Sequence, residues 1–102
     1  MLDYTDNCVR VFCMDSGKLL AESRHHRDWI NSMAVSKDGT KILTASRDKT
    51  ARVWDWKNND QILCIHEAGQ VLRSARFSHD ERKIITGGYD GVVSFWEAPI
   101  EL

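Results

Sequence analysis

The 102-residue sequence predicts an all-β chain of small four-stranded antiparallel sheets, repeated and stacked face to face. Three observations carry that expectation. The chain aligns with itself end to end, without a gap, at a shift of 42 residues, and 11 of the 60 overlapping pairs are identical; roughly three or four identities are expected for average composition. Short stretches rich in Val, Ile, Thr and aromatics alternate with turn chemistry about every eight to twelve residues, and none keeps a helical period. One strand carries large or apolar side chains on both faces, so its sheet needs a neighbour on each side.

In the self-alignment Asp6, Asp48 and Asp90 coincide, as do Phe12, Trp54 and Trp96. Arg10 meets Arg52, Ser36 meets Ser78, Asp38 meets Asp80, Lys41-Ile42 meets Lys83-Ile84 and Thr44 meets Thr86. In the middle repeat, strands are expected at about Ile30–Ser36, Lys41–Ser46, Thr50–Trp56 and Gln61–His66. The turns between them are Lys37-Asp38-Gly39-Thr40, Arg47-Asp48-Lys49 and Asn58-Asn59-Asp60, built from residues that tolerate positive φ or bond their own backbone. Along the third strand Ala51, Val53 and Asp55 point one way and Arg52, Trp54 and Trp56 the other.

Composition (42% hydrophobic, 28% charged, one Pro, six Gly) is that of an ordinary globular chain and excludes collagenous, low-complexity and strongly disordered readings. With 14 basic against 15 acidic residues, no bulk positive field points to nucleic acid or anionic lipid. Apolar runs are far shorter than the roughly 18 to 20 residues that span a bilayer, and the N-terminus has no signal-peptide pattern. The expected setting is intracellular, in cytoplasm or nucleus, with no membrane partner. Cys8, Cys13 and Cys64 are an odd, sparse set without zinc-finger spacing, which fits reduced thiols.

The middle repeat closely resembles the WD40-repeat family of β-propellers. The resemblance runs from His25-His26 through Asp38-Gly39 to Trp54-Asp55, with His25 where the family usually has Gly. It implies a hydrogen-bonded tetrad of His26, Ser46, Asp48 and Trp54. A buried carboxylate needs partners, and an imidazole with a hydroxyl linked to an indole N–H supplies them. The outer repeats keep part of the set. Asp90 and Trp96 remain in the third, where Ala68 replaces the histidine and Gly88 the serine; Asp6 and the aromatic Phe12 remain in the first.

The fold implied is a partial, open β-propeller of four-stranded WD40 blades. Residues 1–24 form the end of one blade, 25–66 a complete blade, and 67–102 a third lacking its last strand. Propellers usually close with about four to eight blades, so this length is expected to be a segment of a larger propeller, its open blade edges predisposing the isolated chain to self-associate.

Such propellers present a ring of loops to partners. The resemblance places Trp29, Asn31 and Arg47 on that upper face in the middle blade, Val71, Arg73 and Tyr89 in the next, and Thr5 in the first. Trp, Tyr and Arg dominate binding hot spots, so a protein or peptide partner leads, and Arg47 with Arg73 favours an acidic or phosphorylated one. Ile42 to Lys57 also looks like the box by which some family members dock on the adaptor of a cullin-RING ubiquitin ligase. An RNA- or DNA-associated role, through arginines interleaved with Trp29 and Tyr89, ranks below peptide binding because no run of arginines is contiguous. No enzyme, cofactor or metal is expected. Cys8 and Cys13 fall on opposite strand faces; Cys64 and His66 share a face, with His25-His26 one repeat earlier near the same strand end, but the turn geometry gives no reason to expect a four-ligand zinc site; and the hydrolase-like set His26, Asp48 and Ser46 is implied to be buried against Trp54.

Overall fold

The computed structural model describes residues 2–3 (backbone only), 7–24, 26–65, 71–89 and 91–97. His25, His66 and Ala68, together with Thr5, Asp6 and Asp90, lie outside the described residues. Ten strands occur, and no α-helix among the described residues: β1 (Leu2–Asp3), β2 (Val9–Phe12), β3 (Leu19–Ser23), β4 (Ile30–Val35), β5 (Lys41–Ser46), β6 (Ala51–Asp55), β7 (Asp60–Ile65), β8 (Leu72–Phe77), β9 (Lys83–Gly88) and β10 (Val93–Glu97). They form three antiparallel meanders, β1-β2-β3, β4-β5-β6-β7 and β8-β9-β10. The four middle strands begin and end within one residue of the limits expected from sequence.

Turn geometry repeats with the sequence. Positive φ occurs at Asn7, Lys49 and Gly91, at Gly17 and Asn59, and at Gly39 and Glu81, each set spaced by the 42-residue shift. At Gly39 (φ +76°) the N–H closes onto the carbonyl of Ser36 at 3.0 Å, and at Glu81 (φ +59°) the same bond runs to Ser78 at 2.9 Å. Backbone shape is thus kept even where a side chain makes it costlier.

The middle sheet is covered on both faces, as the composition of β6 requires. On one side Val53, Ala51 and Leu43 pack with Leu72, Ala75 and Ile84 of the β8-β9-β10 sheet. On the other, Trp54, Ile42 and Ile30 pack with Val9 and Val11 of β2. Fully burying such a side chain is worth about 1.5 to 3 kcal/mol, so the two interfaces outweigh any single hydrogen bond in the sheet. The outward faces differ: Val93 and Phe95 on β10 are 60% and 65% exposed, whereas their repeat counterparts Ala51 and Val53 are fully buried. Polar ties accompany the contact between the second and third sheets. Lys37 donates from its backbone N–H to Glu81 Oε2 at 3.0 Å and from Nζ to the His79 carbonyl at 2.6 Å.

Candidate functional site

Two constellations follow from this stacking, one buried in the middle sheet and one open at the end of the sheets where β4 begins and β5 ends. The buried one centres on Asp48, in the β5–β6 turn. Its Oδ2 lies 3.0 Å from His26 Nδ1 and accepts from the Arg27 N–H at 2.9 Å; its Oδ1 accepts from the Thr50 N–H at 3.0 Å and from the Thr50 hydroxyl. Burial pushes the Asp48 pKa up, but the hydrogen bonds from Thr50, Arg27 and His26 outweigh it and hold the group below its ordinary value. His26 thus bridges the Asp48 carboxylate at Nδ1 and the Thr44 hydroxyl at Nε2.

Here the structure corrects the expected tetrad. Ser46 does not take the hydroxyl position beside His26; Thr44 does. The Ser46 hydroxyl sits at the end of β5, donating toward the carbonyls of Trp29 (2.8 Å) and Asp28 (3.1 Å) and accepting from the Asp48 N–H at 3.1 Å. Nor does Trp54 join, because among the described residues its buried Nε1 has no hydrogen-bond partner. In the third sheet the corresponding link is made: Trp96 Nε1 donates to Thr86 Oγ1 at 2.9 Å. Thr44 and Ser46 are two apart on one strand and share a face, so alternation alone could not choose between them. The signal was in the repeat, where Thr44 recurs as Thr86 while Ser46 becomes Gly88. Phe12, at the end of β2, is half-buried, and the Asp6 and Asp90 positions of the partial sets fall outside the described residues.

The open constellation gathers residues from two repeats. Trp29, Asn31, Arg47, Val71 and Tyr89 line one concavity of about 570 Å³. Trp29 immediately precedes β4 and Arg47 follows β5; the Arg47 N–H donates to the Trp29 carbonyl at 2.8 Å. The same bond recurs one repeat on, from Tyr89 to Val71 at 3.3 Å. Both aromatics project outward, Trp29 at 63% and Tyr89 at 65% exposure, and the Arg47 guanidinium lies over the Trp29 ring, 5.4 Å from its centroid.

Asn31 and Arg73 occupy matching register shifts at the starts of β4 and β8, between Ile30 and Ser32 and between Leu72 and Ser74. Such bulges re-aim a side chain. That of Asn31 turns toward the next sheet, its Nδ2 donating to the Leu72 carbonyl at 2.8 Å, whereas Arg73 is exposed and is not among the residues lining the concavity. Of the seven residues expected on this face, five therefore share one concavity, Arg73 stands apart from it, and Thr5 falls outside the described residues.

No helix among the described residues is long and apolar enough to cross a membrane. Comparison with known proteins gives several relatives. The chain is 36% identical over 94 residues to the DENN domain and WD repeat-containing protein SCD1 of Arabidopsis thaliana, covering 90% of this chain and 8% of that protein. It is 28% identical over 83 residues to the serine-threonine kinase receptor-associated protein of Gallus gallus, covering 81% of this chain and 23% of that one. It is 29% identical over 97 residues to autophagy-related protein 16 of Arabidopsis thaliana, covering 91% and 19%. The chain thus spans less than a quarter of each of these relatives. The WD domain, G-beta repeat signature matches residues 17–55 and 59–97, most of the sequence, and with the repeated antiparallel sheets it establishes that this chain belongs to the WD40 family.

Proposed function

We propose that the chain is a non-catalytic interaction scaffold that binds a protein or peptide partner at the concavity formed by Trp29, Asn31, Arg47, Val71 and Tyr89. The observation that carries this reading is the convergence there of two exposed aromatics and an arginine from successive repeats. A surface Trp costs solvation unless covered, and Trp, Tyr and Arg combine large contact area with a polar handle. Relatives whose names describe a receptor-associated protein and a DENN-domain WD-repeat protein support an association role. The hydrolase-like trio supports no chemistry, since His26 and Ser46 are buried and the Ser46 hydroxyl is engaged by backbone carbonyls.

The proposal includes the division into blades at residues 1–24, 25–66 and 67–102 and their place in a larger propeller. Its support is the exposure of Val93 and Phe95 where the equivalent Ala51 and Val53 are covered by a sheet. Adaptor docking through residues 42–57 ranks lower, because Leu43, Val53 and Trp54 of that stretch are core. Nucleic acid also ranks lower, because Arg47 is the one arginine lining the concavity.

The test is site-specific photocrosslinking in cells, with a benzophenone amino acid placed at Tyr89 or at His79, which lies at the opposite end of β9. Partners captured from position 89 and lost with Trp29→Ala support the reading. Equal capture from both positions overturns it.

A further inference from the structure

From the geometry of the concavity we infer that its partner segment presents a carboxylate side chain beside an aliphatic one, the carboxylate seated on Arg47; this rests on the interaction role proposed above. Among the described residues lining the concavity, Arg47 alone carries a formal charge and none is an acid. Among the described residues Arg47 has no ion-pair partner. The guanidinium is nonetheless held. The Arg47 backbone N–H is fixed to the Trp29 carbonyl at 2.8 Å, and the guanidinium carbon lies over the Trp29 ring, 5.4 Å from its centroid. A guanidinium held over an aromatic ring keeps N–H donors that can meet a carboxylate with two parallel hydrogen bonds. Less side-chain entropy is then lost when the anion arrives.

A phosphate is the poorer fit. It carries nearly two charges at neutral pH, and recognition commonly uses clustered arginines. The second cation anticipated from sequence, Arg73, does not line the concavity. One arginine balances one carboxylate. Among the described residues the remaining wall, Val71 with the Tyr89 ring, is largely apolar and open, which suits an aliphatic neighbour on the same segment. Asn31 contributes little selectivity for anions, because one amide hydrogen is committed to the Leu72 carbonyl.

The experiment is selection of the full chain against a displayed library of random nonapeptides. Fluorescence anisotropy then compares enriched peptides with versions carrying Gln for Glu, Asn for Asp, or phosphoserine at the acidic position. The expected result is enrichment of Asp or Glu next to Val, Leu or Ile. Neutralising the acid should weaken binding about three- to tenfold, the range of a partly exposed charge-assisted pair. That ratio should fall to about one in Arg47→Gln and be kept in part by Arg47→Lys, which retains the charge without the fork. Thermal melts of the variants check that the fold persists. Trp29-dependent peptides with no acidic preference, or phosphoserine versions binding more tightly through Arg47, overturn the carboxylate assignment and leave the interaction role standing. Failure to enrich any peptide over the Trp29→Ala chain overturns both.

Discussion

The side-chain amide of Asn31 donates to the main-chain carbonyl of Leu72 at 2.8 Å, bridging two sheets from within the set of residues that lines the concavity. Position 31 therefore does structural work as well as lining the concavity. Asn31→Ala is expected to destabilise the chain by about 0.5 to 1.5 kcal/mol, read by urea unfolding, because it leaves a partly buried carbonyl without its donor. Loss of peptide binding with unchanged stability would contradict this assignment.

The two tryptophans at equivalent repeat positions should respond unequally to loss of the indole N–H. Trp96→Phe removes the bond to Thr86 and is expected to cost about 1 to 3 kcal/mol. Trp54→Phe removes a buried donor that has no acceptor among the described residues, so lost ring volume is offset by relief of an unpaired group and the net change should be about 1 kcal/mol or less. Differential scanning calorimetry of the pair decides it, and equal losses would mean that Trp54 does have a partner.

Removing the Asp48 carboxylate strips acceptors from His26, Thr50 and the Arg27 N–H at once. Asp48→Ala is expected to cost about 2 to 4 kcal/mol, whereas Trp29→Ala should change stability by less than about 1 kcal/mol while reducing partner binding. Chemical denaturation of both variants checks the ranking, and its reversal would interchange the roles of network and surface.

Acid sensitivity should centre on the turns. The Ser36 hydroxyl and then the Thr40 N–H and hydroxyl bond the Asp38 carboxylate and lower its pKa from 3.8 to about 2; Asp48 is lowered as well. A depressed folded pKa means stability that is complete above the unfolded value near 3.8 and lost as pH falls through the folded one. The melting temperature should therefore decline below about pH 4 from these groups, and Asp38→Asn should flatten the part of that decline approaching pH 2. A curve unaltered by the substitution would exclude Asp38 as a contributor.

The bare face of β10 should drive association. Val93 and Phe95 together form an exposed apolar strip on a strand that, among the described residues, is paired on one side only, by β9. The isolated chain is expected to show concentration-dependent mass in sedimentation, and Val93→Lys with Phe95→Lys should shift it toward monomer without loss of strand signal in circular dichroism. A wild-type chain that stays monomeric at high concentration would rule this out.

The sequence by itself determined the strands and the repeat. Those features are local or periodic: alternation sets faces, turn chemistry sets ends, and the 42-residue shift carries both forward, even to the positive φ shared by Asn7, Lys49 and Gly91. Only the tertiary structure decided which hydroxyl meets His26, that among the described residues Trp54 is left unpaired while Trp96 is not, and that Arg73 stands apart from Arg47. These outcomes turn on shifts of an ångström or two set by a bulge or by how one sheet settles on the next, and hydrogen bonds fade over that same distance. Apolar burial tolerates such shifts and is therefore written in residue type, whereas polar pairing does not and is fixed only when the sheets pack.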